Sequence, residues 1–74
     1  MRLIDVNTGI ELKKGDIVTD FRDEKSVLMD WQEPQHPGST GRVGLVARGA
    51  TYKRDDPNAY NWVFPGVIDA RFVE

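Results

Sequence analysis

Short runs of apolar and β-branched residues alternate with clusters of turn residues along the whole chain. The clearest run covers residues 26–33, in which every second residue from Val27 to Trp31 is apolar. Because successive side chains of a strand point to opposite faces, this run predicts a strand whose aspartate and glutamine lie on the solvent face. The two predicted faces are Val27, Met29 and Trp31, and Ser26, Leu28, Asp30 and Gln32.

Other runs of the same kind predict further short strands. They cover residues 2–5, 10–12, 17–21, 42–47, 62–64 and 67–73. In the third of these runs Ile17, Thr19 and Phe21 share one face, which we expect to be the core face because it carries the phenylalanine. In the last run we expect the face of Ile68 and Phe72 to be buried.

Turn residues separate these runs. Residues 6–9 and 13–16 each contain a glycine and an asparagine or aspartate, which favours tight turns. The charged residues 22–25 predict an exposed hairpin tip, and residues 34–41, with two prolines and two glycines, predict a long loop. Pro57 predicts the start of one helical turn near residues 57–60, and Gly44 inside a strand predicts a bulge, a sharp barrel bend or the close approach of another backbone.

No window of the chain keeps the apolar spacing of an amphipathic helix. The sequence therefore predicts an all-β fold, a small SH3-like barrel of five to seven short strands that forms one domain over residues 1–74. Closing such a sheet into a barrel protects strand edges that would otherwise pair with other chains.

Composition narrows the class of protein. The chain has no cysteine, which excludes disulfides and thiolate metal sites and favours a reducing, cytoplasmic setting. Neither a signal peptide nor a run of about 20 apolar residues is present, so we expect no membrane partner. The net charge of −2 argues against a strongly nucleic-acid-attracting surface, although residues 34–61 alone carry four basic and two acidic groups.

Two segments resemble a known family. Residues 14–18, Lys-Gly-Asp-Ile-Val, and residues 38–46, Gly-Ser-Thr-Gly-Arg-Val-Gly-Leu-Val, are similar to the strand opening and the glycine-marked stretch of the KOW type of SH3-like barrel. The resemblance implies a five-stranded barrel that binds RNA, DNA or protein in ribosomal and transcription contexts. In this chain residues 19–37 separate the two segments, which lie close together in the usual pattern.

Candidates for catalysis and metal binding are few. His36 is the only histidine, and Ser39 is the only nearby hydroxyl that it could activate. A third, orienting group is not evident, and we expect His36 to be an exposed loop residue. Four acidic residues could meet at a hairpin, but their spacing matches no calcium loop, and we expect them to be solvated: Asp20, Asp23, Glu24 and Asp30. We therefore expect no enzyme activity, no metal and no cofactor.

The better candidates are aromatic and basic residues of the stretch 42–62. Tryptophan, tyrosine and arginine dominate protein interfaces, and aromatic rings flanked by cations also stack on single-stranded bases. The candidate binding residues are Arg42, Arg48, Tyr52, Lys53, Arg54, Tyr60 and Trp62. We expect Trp31 and Trp62 to be buried and the two tyrosines to be exposed.

The sequence thus favours a non-enzymatic binding module. An unidentified protein partner is the first expectation, as in small accessory proteins of bacteria or bacteriophages. Nucleic-acid binding through residues 42–62 is the alternative. We expect a monomer or a weak homo-oligomer, the latter through pairing of the C-terminal strand.

Overall fold

A computed structural model describes residues 1–49 and 56–74 of the chain. This part contains six strands: β1 (Arg2–Asp5), β2 (Ile17–Thr19), β3 (Lys25–Gln32), β4 (Arg42–Ala47), β5 (Asn61–Val63) and β6 (Ala70–Val73). One-turn 3-10 helices at Pro57–Ala59 and Pro65–Ile68 stand before and after β5. The predictions of an all-β domain, of its strand number and of the turn at Pro57 are confirmed.

The strands form two antiparallel sheets. Strands β2, β3, β4 and β5 follow one another in a four-stranded sheet, and β1 pairs with β6. The segment between β1 and β2 bonds to both sheets: the N–H of Leu12 donates to the carbonyl of Leu3 at 2.8 Å, and the N–H of Gly15 donates to the carbonyl of Leu28 at 2.7 Å. The predicted strand at residues 10–12 is reduced to a single bridge between Ile4 and Glu11, and the regular partner of β1 is β6. The resemblance to the KOW type remains a prediction.

The core lies between the two sheets. Its buried members are Leu3, Val18, Leu28, Val43, Leu45, Ile68 and Ala70. Half-buried side chains close it from the sides: Leu12, Trp31, Val63, Val67 and Phe72. Burial of these apolar surfaces is the main stabilising contribution available to a chain of this size that has no disulfide.

The expected core face of β2 is wrong. Val18 is buried, whereas Ile17 is exposed and Phe21 is 78% exposed. The strand ends at Thr19, and the chain then turns, so the two-residue alternation that linked Phe21 to Ile17 no longer applies.

The predicted faces of β3 are wrong at Val27 and Leu28, which are exchanged relative to Trp31. The pairing with β4 shifts between Leu28 and Asp30, so that Leu28 lies opposite Leu45 while Asp30 lies opposite Gly44. Such a bulge adds one residue to one strand and reverses the alternation beyond it. As a result Leu28 and Trp31 both face the core, and Asp30 stays on the other face as expected.

The C-terminal run is not one strand. Residues Pro65–Ile68 form a 3-10 helix, which Pro65 can begin because the first helical residue needs no free N–H. Asp69 then adopts a left-handed conformation, with φ of 53°, before β6 begins. The prediction that Ile68 and Phe72 face inward is confirmed, since both belong to the core or pack against it.

Two of the predicted turns are present in the expected form. The Asp16 carboxylate accepts the N–H of Lys13 at 2.9 Å and so closes the turn before β2. At the hairpin tip the Asp20 carboxylate accepts the N–H groups of Arg22 at 2.9 Å and Glu24 at 3.0 Å, and its other oxygen lies 3.3 Å from the Arg22 guanidinium.

These contacts make the stability of the β2–β3 hairpin depend on pH. The N–H of Glu24, assisted by the N–H and guanidinium of Arg22, holds the pKa of Asp20 below its ordinary value against the opposing effect of burial. A depressed pKa in the folded state means that the unfolded chain binds the proton more tightly. The charged carboxylate therefore stabilises the fold above its ordinary pKa, and this contribution is lost as the pH falls through the lowered value.

Asp20→Asn is expected to lower the melting temperature at pH 7. Its difference in melting temperature from the wild type should shrink as the pH falls below the ordinary pKa range of a carboxyl group. Asn keeps an oxygen for the two N–H groups but removes the charge. Asp23→Asn is the control, because Asp23 lies in the same turn at φ of 63°, a conformation that asparagine tolerates. Thermal unfolding from pH 7 to pH 2 measures both. A deficit of Asp20→Asn that is constant across this range contradicts the prediction.

Candidate functional site

The candidate residues that come together lie on the face of the four-stranded sheet opposite the core. In the β4–β5 pairing Val43 stands opposite Val63, and Gly44 stands opposite Trp62. Because Val43 and Val63 face the core, their neighbours Gly44 and Trp62 point to the other side. We call this side the outer face.

Gly44 forms the floor of an aromatic pair on the outer face. A Cβ atom on Gly44 would lie 3.1 Å from Cδ2 of Tyr60 and 3.2 Å from two ring carbons of Trp62. The two rings have centroids 6.0 Å apart and planes tilted by 49°, within the range of favourable aromatic pairs. The close neighbours of Gly44 are therefore side-chain rings and not the expected second backbone, and the bulge lies in the facing strand β3, just before Asp30.

The 3-10 helix before β5 holds both rings in place. Asp56 caps this helix by accepting the N–H of Asn58 at 3.0 Å. The carbonyl of Pro57 accepts the N–H of Tyr60 at 3.3 Å and the indole Nε1–H of Trp62 at 3.4 Å. The indole is thereby tied to backbone, which limits its rotation.

Arg42 lies over the ring of Trp62. Its guanidinium carbon is 5.2 Å from the centroid of the Trp62 ring, a cation–π distance. Its Nε donates to Oε1 of Gln32 at 2.7 Å, across the β3–β4 pairing. Among residues 1–49 and 56–74 no carboxylate lies within ion-pair distance of this guanidinium. Arg42 is thus oriented by two contacts while its charge has no counterion there.

Phe64 extends the surface beyond β5 and is 72% exposed. A hollow of about 380 Å³ is lined by Arg42, Trp62, Val63, Phe64 and Val67. Arg42 and Phe64 also line a neighbouring hollow of about 290 Å³, which includes His36, Ser39 and Glu33. We call the four side chains Arg42, Tyr60, Trp62 and Phe64 the Arg42 face.

The structure brings together three of the seven candidate residues, Arg42, Tyr60 and Trp62. Arg48 is exposed and follows β4 at the end away from Arg42. The other three candidates lie outside the described residues: Tyr52, Lys53 and Arg54.

Sequence reasoning missed Phe64 and Gln32 as members of the site. The signal for Phe64 was its aromatic side chain two residues after Trp62, at the end of the predicted strand 62–64. For Gln32 no sequence signal existed, because its contact with Arg42 depends on the strand pairing.

The two tryptophans have different surroundings. Trp31 is half-buried against the core, with the ammonium group of Lys14 at 5.6 Å from its ring centroid. Trp62 is also half-buried, but it lies on the outer face beside Tyr60. The expectation of two buried tryptophans and an exposed Tyr60 is therefore too simple, since all three side chains are half-buried.

The loop 34–41 places His36 and Ser39 beside the second hollow. His36 is exposed, as expected. The Ser39 hydroxyl accepts the N–H of Gly41 at 3.1 Å, and the Ser39 N–H donates to the carbonyl of His36 at 3.0 Å. These are turn contacts that shape the loop leading into Arg42.

The acidic residues of the hairpin tip and of β3 are engaged separately. Asp20 bonds within the hairpin tip, whereas Asp30 lies 3.2 Å from the Lys14 ammonium and accepts the N–H of Trp31. Within the described ranges there is no group of three or more histidine, aspartate or glutamate side chains placed to hold a metal ion.

Comparison of the chain with family models, with curated proteins and with solved structures gave no match. The described part of the chain also contains no helix long and apolar enough to cross a membrane. The function is therefore inferred from the geometry of the Arg42 face.

Proposed function

We propose that this chain is a non-enzymatic protein-binding module whose partner docks on the Arg42 face. The observation that carries the proposal is the convergence of Trp62, Tyr60, Arg42 and Phe64 on one accessible surface. Tryptophan, tyrosine and arginine are the side chains that most often supply the binding energy of protein interfaces. Here the indole and the guanidinium are already held in position, so that little side-chain freedom would be lost on binding.

The charge around the site favours a protein over a nucleic acid. A nucleic-acid surface normally needs several basic groups to neutralise successive phosphates. Of the four side chains of the Arg42 face, Arg42 is the one cation. Lys14, which lies near Trp31, is paired with Asp30. The net charge of −2 adds no general attraction for phosphate.

The proposal predicts that binding depends on Trp62 and not on exposed aromatic surface in general. Peptides or protein fragments selected by display against the full chain should lose about 2 kcal/mol or more, roughly thirtyfold in Kd, on Trp62→Ala. Phe21→Ala is the matched control, because Phe21 is an exposed aromatic ring with its own arginine, Arg22, at 5.6 Å, on another part of the surface.

Isothermal titration gives the Kd values, and circular dichroism verifies that each variant is folded. Single-stranded and duplex oligonucleotides are titrated in parallel at low and moderate salt. Salt-dependent oligonucleotide binding that Trp62→Ala abolishes, with no peptide selected, would replace the proposal by the nucleic-acid alternative. Selected binders that tolerate Trp62→Ala would place the interface elsewhere.

A further inference from the structure

The Arg42 guanidinium differs from the other described cations that are ordered by contacts. Arg2, Lys14 and Arg22 each lie within 4.0 Å of a carboxylate. Arg42 instead has a ring on one side and an amide oxygen at Nε, and no carboxylate of the described residues is in reach. A guanidinium presents five N–H donors in a planar fork that matches a carboxylate. With Nε bonded to Gln32, the donors of its terminal nitrogens are the ones suited to a ligand.

Two acidic side chains near this surface are engaged with other cations. Glu33, which lines the second hollow, lies 3.5 Å from the amino group of Met1. Asp30, which stands opposite Gly44 in the neighbouring strand β3, lies 3.2 Å from the ammonium group of Lys14. These pairings reduce the competition of Glu33 and Asp30 for the guanidinium, and no described carboxylate lies within ion-pair distance of it.

The surface next to Arg42 is apolar. Trp62, Val63, Phe64 and Val67 line the hollow of about 380 Å³ that begins at the guanidinium. An occupant that matched only the charge would leave these side chains in water. An occupant with a large apolar side chain next to its anionic group would bury them as well, at about 25 cal/mol per Å² of apolar surface removed from water.

We infer that the Arg42 face, on the basis of the proposed protein-binding function, recognises a peptide segment in which an aspartate or glutamate stands within two residues of a large apolar side chain. The carboxylate pairs with the guanidinium of Arg42. The apolar side chain lies in the hollow between Trp62, Phe64 and Val67. The charge sets the orientation of the segment, and the hollow supplies the buried area.

The test begins with a random 12-residue peptide library displayed on phage and selected against the full chain. The expected consensus has an acidic residue within two positions of leucine, methionine or an aromatic residue. A synthetic peptide of that consensus and its version with asparagine or glutamine in place of the acid are then titrated against the wild type, Arg42→Gln and Arg48→Gln. Arg48 is the control because it is an exposed arginine at the far end of β4.

Removal of either partner is expected to weaken binding about tenfold, as for a charge-assisted pair. In Arg42→Gln the acidic and amide peptides should bind equally, since the partner of the acid is gone. Arg48→Gln should change the Kd less than twofold, and added salt should weaken the acidic peptide only.

Three results would overturn the inference. If the consensus lacks an acid, or if the acid-to-amide change weakens binding equally for the wild type and Arg42→Gln, the carboxylate does not pair with Arg42. If those same peptides no longer bind Trp62→Ala, the proposed function is still supported. If no peptide is enriched, both the inference and the proposed function are wrong. If oligo(dT) binds, or if sedimentation shows self-association, and Arg42→Gln abolishes that property, the occupant is a phosphate backbone or a second copy.

Discussion

Leu28→Ala is expected to lower the free energy of unfolding by about 2–5 kcal/mol, the range for truncating a fully buried leucine. The side chain is 0% exposed and lies between the two sheets, opposite Leu45. Since small domains are stable by only roughly 5 kcal/mol, the variant should be partly unfolded at 37 °C. Urea unfolding followed by circular dichroism measures the change.

Phe21→Ala is the informative comparison, because the sequence pattern places Phe21 in the core and the structure leaves it 78% exposed. Its replacement should change the free energy of unfolding by no more than about 0.5 kcal/mol, as is usual for surface positions. If Phe21→Ala proved as costly as Leu28→Ala, the core described above would be wrong.

The two residues show where the sequence pattern stops predicting the fold. Alternation of apolar and polar residues predicts where strands lie, and for β4 the predicted and observed bounds agree. The alternation predicts which face of the sheet a side chain occupies only while the backbone stays a regular strand. The bulge before Asp30 and the turn after Thr19 interrupt it, and both depend on pairing with other strands or on hydrogen bonds that residue types alone do not specify.

The same limit applies to the candidate site. The residue types of Arg42, Tyr60 and Trp62 pointed to a binding surface before any geometry was known. That the three meet over Gly44 depends on the register of β4 and β5, in which Gly44 stands opposite Trp62. A shift of one residue would send Trp62 to the core side. The convergence is thus a property of strand pairing, and it required the structure.

The loop that leads into Arg42 can be tested through Gly41. Gly41 has φ of 74°, and a Cβ atom there would lie 2.6 Å from the carbonyl oxygen of Gln32 and 2.6 Å from Cε2 of Phe72. Gly41→Ala therefore combines an unfavourable left-handed conformation, at about 1–2 kcal/mol, with a collision that must move β3 or the Phe72 ring. We expect the free energy of unfolding to fall by about 2–4 kcal/mol, by analogy with the cost of overpacking.

Two other glycines separate these contributions. Gly15 has φ of 95° but open space around its Cβ position, so Gly15→Ala measures the conformational cost alone. Gly38 lies in the same loop as Gly41, has no positive φ and meets no atom closer than 3.8 Å, so Gly38→Ala should be neutral or slightly stabilising. Urea unfolding of the three variants gives the comparison. Equal losses for Gly41→Ala and Gly15→Ala would contradict the close packing of Gly41 against Gln32 and Phe72. Gly41→Ala is expected to lower the free energy of unfolding more than Gly15→Ala does. The folded fraction of Gly41→Ala should also bind peptide more weakly, because Gln32 orients Arg42.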